Sequence, residues 1–295
     1  MTETPLTIPS LVDEVLDTIH GYSRHQEQRT SLTTAIDSSQ LALVVNDISQ
    51  VSKGLVEVED ELMQVANVDQ ANNVITIQPW GRGQSGTTAA SHSADVRVTG
   101  VPLFPRQRVR NAIYGVLREV FPYVYAVTAT TFNGSAVQTN YAMPADCYHV
   151  LKVENRLLGP SGMWIPVKRW RQNKTATAVE IEIISPVAIG TGRVRVQYVR
   201  TPPTAFSASD DLSSFGYDYQ LRDLIVLGAT AKLLAFTESA RVQTESMVAQ
   251  GRAEGVPAGS ATAAAKMLYS LYQKRIEDER QQLQLRYPIQ NHFTR

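Results

Sequence analysis

A single cysteine, Cys147, occurs in 295 residues. It excludes an intrachain disulfide and any cysteine-rich zinc or iron–sulfur site, and a lone cysteine reads as a small buried hydrophobe. No uncharged apolar run approaches the roughly 20 residues that a bilayer crossing requires. The opening MTETPLTIPS has no basic stretch followed by an apolar core, so no secretory signal is expected. Catalytic signatures are missing too. The chain holds no Gly-Lys-Ser or Gly-Lys-Thr of a P-loop and no G-x-S-x-G elbow. Its five histidines, His20, His25, His92, His149 and His292, never take an H-E-x-x-H or comparable ligand spacing. Neither an enzyme nor a cofactor or metal is expected.

Net charge is also absent, since 28 Lys and Arg balance 28 Asp and Glu. The balance hides a segregation. Residues 1–104 carry a net −8, residues 105–205 a net +8 and residues 206–295 a net of zero. Complementary segments of this kind can attract one another between copies placed side by side, or each can meet a different neighbour.

With 43% hydrophobic residues the chain can build one large domain or two ordinary ones. Ser10 to Gly21 has Leu11, Val12, Val15, Leu16 and Ile19 at helical spacing, with Ser10 placed to cap and Gly21 to terminate. From Leu41 to Val101 short Val- and Ile-rich runs alternate with turns such as Asp69 to Asn73, which predicts strands. Helical spacing returns at Val109, Ala112, Ile113, Val116, Leu117 and Val120 until Phe121 and Pro122 stop it. Residues 124–205 return to strands.

Tyr217 to Glu238 is apolar nearly all round, as in a helix covered on most sides. A last helix from about Ala261 to Tyr287 turns Leu268, Leu271, Tyr272, Ile276 and Leu283 inward and sets Lys274–Asp278 and Arg275–Glu279 outside as i, i+4 pairs. It would span about 40 Å, more than a core of this size needs, which leaves part of it for a partner. The resulting expectation is an α+β chain: a helical bundle built from N- and C-terminal helices with inserted β-rich modules. Its helical core takes residues 7–40, 103–123 and 206–287. A small β module takes 41–102, a β-rich subdomain 124–205 and an extended tail 288–295.

Gly81, Gly83 and Gly86 in WGRGQSG formally match G-x-G-x-x-G. The following TTAASHSADVRV leads into another strand rather than the helix a dinucleotide site needs, so a glycine-rich loop is expected. Two basic clusters point outward instead. Arg106, Arg108 and Arg110 crowd a helix start, where the macrodipole disfavours positive charge, so they ask for an anion or acidic partner. Lys168, Arg169, Arg171 and Lys174 interleave with Trp164 and Trp170, a mixture suited to phosphate contact with occasional stacking.

The string GRGQSGTTAASH followed by DVRV, after GLVEVEDELMQV and VITIQPW, resembles the β module of structural proteins of tailed bacteriophages. Nearly the whole chain resembles the head-to-tail connector (adaptor, or head-completion) proteins of phages infecting actinobacteria. LVDEVLDTIHGY, FPRQRVRNAIYGVLREVFP, YAMPADCYHVLKVE, RVRVQYVRTPP and YSLYQKRIEDERQQLQLRYPI carry that resemblance by their order.

The resemblance implies a virion component of the neck, between capsid and tail, made in the host cytoplasm. Copies would form a homo-oligomeric ring, a dodecamer following the portal, that continues the DNA channel. Its partners would be the portal protein, a downstream neck or tail-terminator protein, and genomic double-stranded DNA through weak non-specific contact, with no membrane. The DNA-channel candidates are Lys168, Arg169, Arg171 and Lys174, with Arg106, Arg108 and Arg110 as the other set. The portal-docking candidates are Tyr287, Pro288, Ile289, His292, Phe293 and Arg295, since Pro288 ends the helix and the apolar residues after it have no core of their own. The alternative is a tail-tip or receptor-binding structural protein with β modules.

Overall fold

Helix α1 (Ile8–Tyr22) buries Leu11, Val12, Val15, Leu16 and Ile19 along one stripe. The computed structural model describes residues 6–22, 27–134, 138–156, 162–175, 178–184, 193–203, 207, 209–248 and 260–288. The chain divides into two units. One comprises Met1–Leu11, Tyr114–Gly228 and Met267–Arg295, the other Val12–Ile113 and Ala229–Lys266.

In the second of these, strands β1 (Gln28–Ser31), β2 (Ala42–Val44), β3 (Leu55–Val58), β4 (Glu61–Asp69), β5 (Val74–Ile77) and β6 (Arg97–Gly100) form an antiparallel sheet in the order β1-β6-β3-β4-β5-β2. The sheet curls into a half-barrel whose outer strands touch at one bridge, Leu32 to Val45. There Thr33 N donates to Val44 O at 2.8 Å and Asn46 N to Ser31 O at 3.0 Å. Curling gives the inner face its own core, which includes Leu32, Leu43, Val56, Met63, Ile75 and Val98. The turn from β4 to β5 is set by Asp69, whose carboxylate accepts from Ala71 N, and by Asn73 at φ +56°.

Helix α2 (Arg106–Val120) buries Val109, Ile113, Val116, Leu117 and Val120. In the first unit, strands β7 (Ala126–Asn133), β8 (Asn140–Ala142), β9 (Cys147–Arg156), β10 (Trp164–Pro166), β11 (Trp170–Lys174), β12 (Val179–Ile183) and β13 (Arg193–Arg200) form two sheets. One is ordered β10-β9-β13-β7 and the other β11-β12-β8, all antiparallel. Both supply the same core, Val150, Val153 and Val196 from one and Tyr141, Trp170 and Ile181 from the other, so the sheets pack face to face. Cys147 lies in this core as a free thiol, and burial pushes its pKa up to about 12. That suits packing and not nucleophilic chemistry.

Helices α3 (Arg222–Val248) and α4 (Ser260–Arg286) complete the described elements. α3 is entered through two short turns, Leu212–Phe215 and Tyr219–Leu221, capped by the side chains of Asp211 and Asp218.

The expected helical bundle with inserted β modules is corrected by this architecture. Among the described residues, thirteen strands in three sheets set the fold, beside four α-helices. The long apolar run of the third helix dominates the sequence pattern, whereas the many strands of three to five residues leave only a weak period of two. Together with the longer β4, β7, β9 and β13 they nevertheless build two hydrophobic cores.

Three helices meet at Gly228 of α3. A Cβ there would stand 2.7 Å from Tyr272 Cε2 on α4 and 2.9 Å from Val116 Cγ2 on α2. Tyr272 is wholly buried and has no room to retreat. Gly228→Ala is therefore expected to destabilise the protein by about 1–3 kcal/mol through overpacking, reduced by the ~1 kcal/mol alanine gains in helix propensity. Thermal melting checks this, and a raised melting temperature would show that the contact opens freely.

Candidate functional site

The glycine-rich loop is a structural clamp. Gly81 lies where any Cβ would meet Gln64 O at 2.7 Å, and Gly83 holds φ +62°, so neither tolerates a side chain. This close fit delivers Arg82 to the start of β4. Its five N–H groups are all used. Nε and Nη2 grip Glu61 at 2.7 and 2.9 Å, Nη1 donates to Asp37 O and Gln40 O, and Nη2 also donates to Ala90 O at 2.6 Å.

Glu61 in turn accepts from Gly83 N and Ala90 N, both at 3.0 Å, and faces His92 Nε2 at 2.9 Å, while His92 Nδ1 stands 2.7 Å from Glu59. Burial by itself would raise the Glu61 pKa. The Arg82 guanidinium and the surrounding N–H groups overcome that and hold it at about 2. Arg82, the one cation of the loop, thus has no N–H left for a phosphate.

The arginines at the start of α2 find their anion within the chain. Glu57, on β3, accepts from Arg106 N at 2.7 Å and thereby caps the helix from a distant strand. Arg106 Nη1 reaches Asp13 at 2.5 Å and its Nε reaches Asp60 at 3.1 Å, while Arg110 Nη1 reaches the other Asp60 oxygen at 3.3 Å. Arg106 and Arg110 are both buried, and Arg108 is exposed beside the Phe104 ring at 5.9 Å. Part of the acidic segment thus neutralises part of the basic one in cis. Nothing in the spacing of Asp13, Glu57 and Asp60 announces this, because strand curvature and helix entry bring them together.

The second cluster sits on the way into, and along, β11, the outer strand of the three-stranded sheet. Lys168, Arg169, Arg171 and Lys174 are all exposed. Arg171 pairs with Glu182 across the ladder at 2.6 Å, and Lys174 lies 4.6 Å from the Tyr148 ring centroid. The two tryptophans do not join them as stacking platforms. Trp170 points into the sandwich core by the strand's alternation, and Trp164 is covered by Arg195 at 4.4 Å. Arg195 is itself held by buried Glu154 at 2.5 Å, which also binds Lys152. Burial favours the neutral acid there, and the two cations outweigh it to lower the pKa. What remains is a patch of mobile-length cations suited to contact with an anionic polymer without base recognition.

Of the tail candidates, Tyr287 and Pro288 are described; Ile289, His292, Phe293 and Arg295 lie outside the described residues. Tyr287 lines a cavity of about 220 Å³ with Tyr125, Tyr217, Asp218, Glu279 and Arg286. Asp218 pairs with Arg286, and Glu279 with Arg275 at 2.8 Å. Burial raises the Glu279 pKa. The sequence places the Arg275–Glu279 pair on the solvent face, but Glu279 is 3% exposed and lines this cavity. Among the described residues no group of His, Cys, Asp and Glu is placed to hold a metal, and no helix is long and apolar enough to cross a membrane.

No protein-family description matches the chain, and no curated protein matches it. Solved chains align with part of it, these three among them. One, from the neck of an empty gene transfer agent (GTA) particle computed with C6 symmetry, is 14% identical with a TM-score of 0.24, covering 55% of this chain and 77% of that chain. A chain of the virion of a native GTA particle gives 14%, 0.23, 55% and 77%. One from the neck of a native GTA particle computed with C12 symmetry gives 18%, 0.23, 57% and 82%. Likeness at this level decides neither fold nor function.

Proposed function

We propose that this chain is a structural virion protein of the phage neck, forming a ring below the portal that continues the DNA channel and connects the capsid to the tail. The observation that carries this reading is the order of its segments: leading helix, β module with GRGQSGTTAASH, FPRQRVRNAIYGVLREVFP, two further β runs and a closing helix. It does not rest on the GTA alignments. The neighbours on either side of the ring are the portal protein and a downstream neck or tail-terminator protein, and the ring is a dodecamer. The segment from Tyr287 onward is the portal-docking element.

The exposed set Lys168, Arg169, Arg171 and Lys174 supports the channel part, because exposed cations just before and along an edge strand can touch phosphate loosely. A channel through which a genome passes must not grip it, so contact is weak, sequence-independent and sensitive to salt. Arg106 and Arg110 are engaged by carboxylates and make the poorer set. The β-rich architecture is compatible with a tail-tip protein also, so location on the particle is what separates the two readings.

The test uses DNA-filled, portal-bearing heads that lack the neck. Added protein is expected to appear by electron microscopy as a ring on the portal and to prevent DNA loss. Neutralising Lys168, Arg169, Arg171 and Lys174 to Gln should leave the ring and impair DNA retention or ejection. Protein that stayed off the portal would remove the neck assignment, and unaffected DNA handling by the neutralised variant would remove the channel role of this patch.

A further inference from the structure

Helix α4 buries only a narrow seam, of which Leu268, Tyr272, Glu279 and Leu283 are the centre. On the opposite side Met267, Leu271, Lys274, Asp278, Gln281 and Leu285 are all exposed. At 100° per residue these six fall within about 40° of one line along the helix, a strip about 27 Å long. Met267 is 65% and Leu285 84% exposed, which is unusual for large apolar side chains on a helix whose other face is packed. The strip is apolar at both ends and charged in the middle.

We propose that this face is a two-fold contact with a second copy of the same chain, the two α4 helices running antiparallel about a point near residue 276. In that register Met267 of one copy faces Leu285 of the other, Leu271 faces Gln281, and Lys274 faces Asp278, each pair occurring twice. The strip is therefore complementary to itself in charge and in hydrophobicity, which is what an isologous interface requires. A parallel pairing would bring Lys274 against Lys274 and Asp278 against Asp278. The flanking charges do not oppose the antiparallel arrangement, since Arg275 is held by Glu279 at 2.8 Å and Glu277 by Arg280 at 3.3 Å within each chain.

A strip one helix wide falls short of the roughly 1,200 Å² at which stable interfaces begin. The contact is therefore reversible. It is also distinct from the head-to-tail contacts that close a ring, so it concerns the free protein and does not depend on the neck reading. In the free protein it covers Met267, Leu271 and Leu285, which a solvated helix would otherwise present to unrelated surfaces.

The experiment traps the pair covalently in the full-length protein. Met267→Cys and Leu285→Cys are made in separate chains, both at exposed positions that leave the core untouched. Cys147 is buried, so a maleimide reads the new thiols. A bis-maleimide spanning about 8–10 Å, the usual separation of packed helices, should yield covalent dimers in the mixture and at least tenfold fewer with either variant alone. Asp278→Lys added to the Met267→Cys chain should cut the yield several-fold, and Lys274→Asp added to the Leu285→Cys chain should restore it. The proposal is overturned by no dimer in the mixture, by equal dimer from single variants, or by a yield indifferent to the charge exchanges.

Discussion

Replacing Arg82 by Met is expected to destabilise the protein by about 3–5 kcal/mol. Methionine roughly fills the space but donates nothing. Glu61, 2% exposed, would lose two charge-assisted hydrogen bonds, and the carbonyls of Asp37, Gln40 and Ala90 would each lose a donor. An uncompensated buried carboxylate is the costly part, since removing one partner of a buried pair leaves the other charge desolvated. The melting temperature should fall by roughly 10 °C.

The mechanism is separated from mere loss of packing by a second variant. Glu61→Gln combined with Arg82→Met removes the orphaned charge, so the double variant should be less unstable than the two single losses added together. A single-variant loss below about 1 kcal/mol, or strict additivity in the double, would mean that the clamp is not held by this ion pair. The glycine-rich string would then need another explanation for its close fit.

Stability should also fall as pH rises from about 5 to 7, and Glu57 is the reason. Burial raises its pKa from 4.5 to about 7 against the pull of the Arg106 N–H and charge. Between those two values the folded protein holds a proton that the unfolded chain has released. The contribution is thus complete below pH 4.5 and is lost as pH climbs through 7, amounting to about 3 kcal/mol. Glu61 acts in the opposite sense at lower pH. Its folded pKa of about 2 lies below the unfolded 4.5, so its contribution is present above pH 4.5 and is lost as pH falls toward 2.

Glu57→Gln keeps an oxygen that can accept from Arg106 N and removes the ionisation. Denaturant melts at pH 5 and pH 8 should find the variant close to the parent at pH 5 and more stable than it at pH 8. Equal stability of the two proteins at pH 8 would show that water reaches Glu57 and that the carboxylate is not desolvated.

Much of the chain's local order was legible beforehand, for a physical reason that differs from element to element. Leu11, Val12, Val15, Leu16 and Ile19 specify α1 because a 3.6-residue period has one reading, and Val109 to Val120 specify most of α2 in the same way. The strand at Gln28–Ser31 has no such signal. QRTS is polar, and its pairing with Arg97–Gly100 is supplied by backbone hydrogen bonds that any sequence could make. The rejection of a phosphate site at Gly81–Gly86 followed from what comes after it, whereas the role of Arg82 could not, since its five acceptors come from three separate stretches of chain.

Composition and periodicity by themselves determined that Cys147 would have no disulfide partner within the chain, that helices and short strands would alternate, and that charge would be divided between segments. These properties are local or additive, so no fold is needed to read them. Tertiary structure alone decided that three sheets around two cores set the architecture, that Arg106 and Arg110 spend their charge on Asp13 and Asp60, and that Lys168 and Arg169 remain exposed on the surface. Each of those outcomes depends on which distant residues share a few ångströms of space. Sheet curvature and helix entry fix that, and neither is written in the spacing of residues along the chain.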